Sequence, residues 1–205
     1  MYSPSPCRSD GTFDLIVRMY KNGNVSRQLG SMRLGGSVFM RPFPPSLPAD
    51  RRNPGRHVGL VAYGVGITEI YWTAMNELSD PGVQDVVLVY ATRTMEEQKV
   101  YGPELEELQR QEPRRFRLEK VLSRQRVQGA RHGRVNAQLL SEVFPWSRTS
   151  GSRAEARFAV AGNKEMINTT FGWLADIGYP ESCKLIRDLS VSSLLSRRFR
   201  AFWGA

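Results

Sequence analysis

The stretch His57-Val58-Gly59-Leu60-Val61-Ala62-Tyr63-Gly64-Val65-Gly66-Ile67-Thr68-Glu69 decides how this chain folds. Its first half is typical of a buried strand, and the residues that follow it repeat apolar side chains at helical spacing. A strand that ends in Gly-x-Gly and leads into a helix favours a phosphate-binding turn, because backbone N–H groups and the helix N-terminus both attract an anion. Glu69 puts a negative charge where that anion would dock, so a plain strand–turn–helix corner stays open as the alternative.

Length and composition narrow the class of protein. The 205 residues suffice for one large or two small domains, and the 40% of hydrophobic residues supports a packed core. No apolar run is long enough to span a membrane, and the N-terminal segment lacks the apolar stretch of a secretory signal. Cys7 and Cys183 are too few for a disulfide framework or a zinc site, so we expect no metal. We expect an intracellular, reducing compartment, with a mitochondrial location favoured over a cytoplasmic one.

The net charge of +9 comes mostly from arginine. Arginine binds phosphate and carboxylate through paired hydrogen bonds and stacks on bases. A partner of opposite charge, either RNA or a large acidic assembly, is one interpretation, and a solvated basic surface is the other. The arginines that we expect to face such a partner are Arg114, Arg115, Arg117, Arg131, Arg134, Arg197, Arg198 and Arg200.

The N-terminal quarter has a different pattern from the rest. Residues 13–20 predict a strand, residues 25–32 a short helix capped by Ser26, and residues 37–41 a second strand. Residues 42–56 contain proline and arginine without periodicity, which indicates a linker and a domain boundary.

From residue 57 onwards, predicted strands and helices alternate. The strands are predicted at 58–62, 85–91, 116–122, within 153–161, and at 183–187. The helices are predicted at 69–78, 103–111, 135–143 and 164–177. This order predicts an α/β fold, a parallel sheet with helices on both faces.

With these elements in place, the chain resembles the ferredoxin–NADP reductase family, and above all its NADH–cytochrome b5 reductase branch. Met1-Tyr2-Ser3-Pro4 is similar to the family's flavin motif, and residues 23–29 (Gly-Asn-Val-Ser-Arg-Gln-Leu) to its FAD pyrophosphate segment. Residues 64–68 (Gly-Val-Gly-Ile-Thr) resemble its nicotinamide-nucleotide loop, Gly-Thr-Gly-Ile-Thr. Residues 161–167 (Ala-Gly-Asn-Lys-Glu-Met-Ile) fall where Cys-Gly-Pro-Pro-Pro-Met-Ile is expected.

The resemblance implies a partial antiparallel flavin-type β-barrel in residues 1–50, an NAD(P)-binding α/β domain in residues 57–187, and an added basic and aromatic tail in residues 188–205. It implies FAD and NAD(P)H as cofactors, with a hydride passing to the flavin and electrons leaving to an acceptor protein. The FAD-binding residues that it implies are Tyr2, Ser3, Gly23, Val25 and Ser26. The NAD(P)-binding residues that it implies are Gly64, Val65, Gly66, Thr68, Thr92, Arg93, Gly162 and Met166, and no catalytic residue is assigned.

Several positions depart from the family pattern. Val65 stands in place of a threonine, Glu69 of a proline and Ala161 of a cysteine, and the family's barrel has further strands before the flavin motif. We therefore expect reduced or lost hydride transfer, which needs the reacting atoms about 3–3.5 Å apart. One alternative is a non-catalytic reductase-like subunit in an RNA-containing organellar assembly, such as a mitochondrial ribosome or its assembly intermediate. Another is a protein whose true start precedes Met1 and completes the barrel.

Overall fold

The structure, a computed structural model, describes residues 2–5, 8–40, 55–148, 155–180 and 183. The predicted tail at 188–205 lies outside these residues. So does most of the linker predicted at 42–56, and so does the short strand predicted at 183–187 apart from Cys183.

Five parallel strands form one sheet in the order β4-β3-β2-β1-β5. Their bounds are β1 His57–Tyr63, β2 Asp85–Thr92, β3 Phe116–Leu122, β4 Arg131–His132 and β5 Ala156–Ala161. Leu60 of β1 aligns with Leu88 of β2 on one side and with Ala159 of β5 on the other. Strands β1, β2 and β5 are buried along almost their whole length, as parallel strands covered on both faces require.

Helices cover both faces of this sheet, so the predicted fold class is confirmed for the α/β domain. The helices are α1 Asn24–Gly30, α2 Ile67–Leu78, α3 Gly102–Gln111, α4 Ala137–Val143 and α5 Lys164–Asp176. On one face α2 and α3 bury Ile70 and Leu105 against the sheet. On the other face α4 and α5 bury Leu140 and Phe171. The sheet therefore separates two hydrophobic cores.

The starts of the helices differ in a way that bears on the site. The side-chain oxygen of Asn163 accepts a hydrogen bond from the Met166 N–H at 2.8 Å and caps α5. Helix α2 has no such side-chain cap, and it continues directly from a 3-10 turn at Gly64–Gly66. The backbone N–H groups at the start of α2 therefore donate to the carbonyls of Gly64 and Val65, and the helical run begins at the 3-10 turn itself.

Two polar contacts tie the layers together, one of them buried. Glu77 of α2 forms an ion pair with Arg157 of β5, and both side chains are almost fully buried. Also near the amino ends of the strands, His57 contacts Asp85, which accepts a hydrogen bond from the indole N–H of Trp146 at 3.0 Å. The second contact joins the amino ends of β1 and β2 to the segment after α4.

The N-terminal segment forms less regular structure than its sequence predicts. Instead of strands at 13–20 and 37–41, the described part holds a single antiparallel bridge, between Pro4 and Leu15. The two predicted strands are therefore wrong for these residues, and the barrel itself stays a prediction. The predicted helix is present as α1, but Gly23 precedes it, and no side chain caps it. Ser26 is buried instead, and its hydroxyl accepts a hydrogen bond from the Tyr20 N–H at 3.3 Å.

Candidate functional site

The candidate site lies at the carboxyl ends of β1 and β5. These neighbouring strands lead into helices on opposite faces of the sheet, α2 on one face and α5 on the other. A crevice forms at such a point because the two connections diverge, and α/β proteins bind ligands there. The turn Gly64–Gly66 follows β1, and Gly162 follows β5, so the structure brings both glycine segments to one edge.

The turn after β1 depends on its two glycines. Gly64 has a φ of +55°, a left-handed conformation that side chains disfavour. A Cβ on Gly66 would lie 2.6 Å from the carbonyl oxygen of Ala161 in β5, so only glycine permits this approach. The hydroxyl of Thr68, itself buried, donates to the Val65 carbonyl at 2.9 Å and closes the turn. The Thr68 hydroxyl therefore holds the turn together.

Glu69 is the acidic residue in the first turn of α2. Its side chain is half-buried, and burial raises the pKa of its carboxyl to about 8. The carboxyl is therefore mostly neutral at pH 7. The negative charge that the sequence places beside the turn is thus largely absent at that pH.

The end of β2 contributes an arginine–glutamate pair. The Arg93 Nε donates to Glu97 at 2.7 Å, and the Arg93 backbone N–H donates to the same carboxylate at 3.1 Å. Thr92 is buried, and its hydroxyl donates to the Thr94 carbonyl at 2.9 Å. Of these two predicted ribose-site residues, only Arg93 is exposed, and its guanidinium is already bound to Glu97.

A reciprocal contact fixes the segment that carries Glu97. The hydroxyl of Tyr90, near the end of β2, lies 3.1 Å from the Glu97 carbonyl and 3.2 Å from the Val100 carbonyl. The side-chain amide of Gln98 donates back to the Tyr90 carbonyl at 2.8 Å, and both Tyr90 and Gln98 are buried. This Tyr90–Gln98 pair holds the segment against the end of β2.

Arg18 connects the N-terminal segment to the crevice, and the sequence analysis did not identify it. Its guanidinium lies 3.8 Å from the Glu97 carboxylate and 3.6 Å from the position that a Cβ on Gly64 would take. Burial raises the pKa of Glu97, but hydrogen bonds from Arg93 and the charges of Arg93 and Arg18 hold it below its usual range. A basic residue inside the apolar run at 13–20 was the only sequence feature that could have indicated Arg18.

The predicted residues near β5 occupy both sides of the α5 start. Gly162 is exposed, and Met166 is 43% exposed in the first turn of α5. Behind them, the hydroxyls of Tyr63 and Thr170 lie 2.7 Å apart, and Thr170 donates to the Met166 carbonyl. Because a threonine hydroxyl has one proton, Tyr63 is the donor in the first contact. This bond joins the end of β1 to α5.

The predicted FAD residues lie in the N-terminal segment. Tyr2 and Ser3 are partly exposed next to the Pro4–Leu15 bridge. Gly23 and Val25 lie at the start of α1, where Val25 is 55% exposed. The Ser26 hydroxyl is occupied by the Tyr20 backbone, so it is less available to a ligand than the sequence predicts.

Three of the arginines predicted to face a partner make internal contacts, although Arg117 and Arg131 are also exposed. Arg115 donates to the carbonyls of Asp80 and Val83, Arg117 to the carbonyl of Val143, and Arg131 to the carboxylates of Glu119 and Glu142. Arg114 and Arg134 are exposed, whereas Arg197, Arg198 and Arg200 lie outside the described residues.

The described residues contain neither a metal-ligand cluster nor a membrane-spanning helix. In this part of the chain, no cluster of three or more His, Cys, Asp or Glu side chains is placed to hold a metal ion. None of the helices described is both long and apolar enough to cross a membrane.

Comparison with known proteins agrees with this geometry. The family described as "Oxidoreductase NAD-binding domain" matches residues 60–171. NADH-cytochrome b5 reductase 1 of Cryptococcus neoformans is 29% identical over 184 residues, which cover 87% of this chain and 62% of the relative. NADH-cytochrome b5 reductase 2 of Neosartorya fischeri is 33% identical over 147 residues, which cover 70% of this chain and 45% of the relative. The chain thus spans less than two thirds of the length of these relatives.

A solved structure shares the fold. The ferredoxin NADP+ reductase from Neisseria gonorrhoeae, with bound FAD and NADP, superposes with a TM-score of 0.65 at 20% identity, covering 93% of this chain and 75% of that one. This likeness includes the parallel sheet and its helices. Because the family match extends over more than half of its residues, the chain belongs to the oxidoreductase NAD-binding domain family, within the ferredoxin–NADP reductase group close to NADH-cytochrome b5 reductase.

Proposed function

We propose that this chain binds NAD(P)H at the Gly64–Gly66 turn as part of a flavin reductase of the cytochrome b5 reductase type. The observation that carries the proposal is the turn itself. Gly64 and Gly66, which have no side chains, bring the backbone of the turn to the start of α2, at the crevice where this fold class binds nucleotides.

The residues around the turn suggest how the dinucleotide is held. Backbone N–H groups of Gly64 and Val65, which precede the bonded N–H groups at the start of α2, bind the pyrophosphate, while Thr92 and Arg93 line the adenosine ribose. Gly162 and Met166 lie on the nicotinamide side of the crevice, since they begin the connection on the opposite face of the sheet. A nicotinamide–flavin pair, when bound, supplies the hydride and electron chemistry, and the protein supplies position and exclusion of water.

FAD binding and the acceptor protein are part of the same proposal. Tyr2 and Ser3 are partly exposed, and Gly23 and Val25 lie at the start of α1, which leaves their surfaces open to a flavin nucleotide. Cytochrome b5 reductase relatives support an electron-acceptor protein as the partner.

We propose in addition that hydride transfer is slower than in reductases with the full motif. Val65 offers a methyl group in place of a hydroxyl, and Ala161 offers no thiol. The Arg93 guanidinium is bound to Glu97, which leaves it less free to bind a nucleotide phosphate. Since hydride transfer depends steeply on the pose of the two rings, small losses of positioning lower the rate strongly.

The test uses the full chain, supplied with FAD. We expect flavin absorbance after removal of free FAD, binding of NADH or NADPH, and slow reduction of an artificial one-electron acceptor. Val65→Thr restores the hydroxyl and is expected to raise kcat. A protein that stays colourless with FAD and binds neither dinucleotide would overturn the proposal.

The alternative is a non-catalytic subunit of an RNA-containing organellar assembly. The net charge and the exposed Arg114 and Arg134, which form no ion pair among the described residues, are the observations in its favour. Phosphate contacts are strongly salt-dependent. Co-sedimentation with ribonucleoprotein particles that is lost at high salt, and weakened by Arg114→Gln with Arg134→Gln, would favour this alternative. Behaviour as a free monomer at low salt would count against it.

A further inference from the structure

The residues directly after β3 lie beside the proposed ribose-site residues at the end of β2. The Ser123 backbone N–H donates to the Thr92 carbonyl at 3.0 Å, and the Arg124 N–H donates to the Arg93 carbonyl at 2.9 Å. These bonds continue the parallel pairing of β2 with β3 beyond the last paired residues of the two strands. Ser123 and Arg124 are therefore fixed at the same edge as the proposed site of the adenosine ribose.

Gln125 holds this segment in place on both sides. Its side-chain oxygen accepts a hydrogen bond from the Met95 N–H at 2.8 Å, which ties it to the segment after β2. Its backbone carbonyl lies 2.8 Å from the Nδ1 of His132, in β4. A ligand at this corner would therefore meet a surface that is already formed, and little chain would have to be ordered on binding.

This segment, residues 123–134, has an uncompensated positive charge. It contains four arginines and no acidic residue. Arg131 is bound by the carboxylates of Glu119 and Glu142. Arg124 is exposed, and within the described residues its guanidinium forms no ion pair.

The end of β2 has the opposite arrangement, because its arginine is already paired. The carboxylate of Glu97 accepts from the Arg93 backbone N–H at 3.1 Å and from the Arg93 Nε at 2.7 Å. The guanidinium of Arg18 lies 3.8 Å from the same carboxylate. Glu97 thus compensates Arg93 and has two cations beside it, whereas no carboxylate compensates Arg124.

NADH and NADPH differ at the ribose that this corner would hold. NADH has a 2′-hydroxyl, which nucleotide-binding proteins of this fold class bind with a carboxylate, and NADPH has a 2′-phosphate, which an arginine accommodates. The corner has a carboxylate that arginines already bind and a guanidinium that no carboxylate binds. A guanidinium binds phosphate through two parallel hydrogen bonds, and the neighbouring Ser123 hydroxyl is a further donor.

We propose that Arg124 and Ser123 form a subsite for the 2′-phosphate, so that this chain binds NADPH in preference to NADH. The inference rests on the proposed function, because it names which dinucleotide binds at the Gly64–Gly66 turn. The two relatives compared above are named for NADH, so this preference separates the chain from them.

The size of the preference follows from the bonds that only NADPH can make. A hydrogen bond between charged groups contributes enough free energy for an affinity ratio of about 10–100, and we expect NADPH to bind more tightly than NADH by this factor. Because Arg124 is exposed, dissolved salt screens its attraction to the phosphate. The ratio of the two affinities should therefore fall as the salt concentration rises.

The experiment measures the binding of NADPH and of NADH to the full chain by calorimetry, at low and at high salt. Arg124→Gln is expected to weaken NADPH binding about tenfold or more and to leave NADH binding unchanged. Ser123→Asp supplies a carboxylate that accepts from a 2′-hydroxyl and repels a 2′-phosphate, so it should reverse the preference.

Arg56→Gln is the matched control for the charge of the whole protein. Arg56 is exposed and directly precedes β1, so it lies at the amino edge of the sheet, opposite the proposed subsite. This variant removes the same positive charge as Arg124→Gln, and it is expected to keep the preference for NADPH.

The outcomes separate this inference from the proposed function. Equal affinities, or tighter binding of NADH, would overturn the inference and leave dinucleotide binding intact. A preference that persists in Arg124→Gln, or that disappears equally in Arg56→Gln, would overturn the assignment of the subsite. Binding of neither dinucleotide would overturn the proposed function together with the inference.

Discussion

The contact between Gly66 and Ala161 makes a sharp prediction for Gly66→Ala. Gly66 has φ −59° and ψ −16°, helical values that alanine adopts readily, so backbone strain plays no part. The added Cβ would instead lie 2.6 Å from the Ala161 carbonyl oxygen and 2.7 Å from its carbonyl carbon. That is roughly 0.8 Å inside van der Waals contact, and backbone atoms of a sheet strand cannot rotate away.

The cost of Gly66→Ala follows from what must move. The turn and the end of β5 have to separate, which strains the pairing of Ala62 with Ala161. Overpacking of this kind costs about 1–3 kcal/mol, and we expect about 3 kcal/mol here because both contacts are with backbone. For a chain of this length, that corresponds to a fall in Tm of about 6–12 °C. We also expect weaker NADH binding, since the N–H groups of the turn are displaced.

Thermal unfolding and NADH calorimetry test this prediction together. Gly172→Ala is the control, because Gly172 is an exposed glycine inside α5 with no atom within 4 Å of its Cβ position. That variant is expected to gain about 0.5–1 kcal/mol in the free energy of unfolding from helix propensity. A Gly66→Ala protein with wild-type Tm and wild-type NADH affinity would refute the close packing of the turn against β5.

Three further predictions concern polar groups outside the turn. Glu77→Ala removes the carboxylate that the buried Arg157 binds and is expected to lower the free energy of unfolding by about 3–5 kcal/mol. Replacing both Glu77 and Arg157 by leucine should lower it clearly less, because no charge is then left buried. Urea unfolding of the wild type and the two variants tests this. Asp85→Ala removes the acceptor of the buried Trp146 indole N–H and is expected to lower the free energy of unfolding by about 1–3 kcal/mol. Thermal unfolding and tryptophan fluorescence measure the effect, and an unchanged Tm would contradict the contact. Burial raises the pKa of Glu97, but its two arginines hold that pKa below the usual value of 4.5. The stability that the ionised Glu97 contributes is therefore present at neutral pH and is lost as the pH falls through the folded-state pKa. The Tm difference between wild type and Glu97→Gln should therefore be largest near pH 7 and vanish in acid, and a difference that grows on acidification would contradict it.

The α/β domain could be predicted from the sequence because its signals are local and agree with one another. Runs such as Asp85–Thr92 are apolar on both faces, which parallel strands between two helix layers require. Asparagines stand where α4 and α5 begin, and both cap their helices. The strand at Phe116–Leu122 has the bounds that the sequence predicts.

The N-terminal segment could not be predicted in the same way, because a strand needs a partner. Residues 13–20 have the composition of a strand, but within the described residues their β pairing is limited to the Pro4–Leu15 bridge and the adjoining hydrogen bond from the Ser5 N–H to the Asp14 carbonyl. Ser26 illustrates a second limit. It has the type of a capping residue, but its hydroxyl is placed to accept from the Tyr20 backbone, a contact that no local pattern indicates.

The sequence predicted the position of the candidate site, but not the ion pairs around it. The glycines at 64, 66 and 162 meet at one edge as the strand–turn–helix pattern predicts. The binding of Arg93 and Arg18 to one carboxylate was not foreseen, since it depends on the fold bringing distant segments together. The sequence did place Glu69 beside the turn, but only the structure gives its burial and therefore its charge.

The Tyr90–Gln98 pair has a consequence for motion. Tyr90 of β2 bonds to the segment at 97–100, and Gln98 of that segment bonds back to β2. We therefore expect the segment to move together with the strand, with backbone order parameters near those of the sheet interior. Glu97 then presents its carboxylate with little conformational freedom left to lose. A ligand that binds Arg93 or Arg18 has to compete with this ordered carboxylate. The bonds to Glu97 that it breaks reduce the favourable enthalpy of ligand binding, and no flexible loop is released to compensate with a gain in entropy.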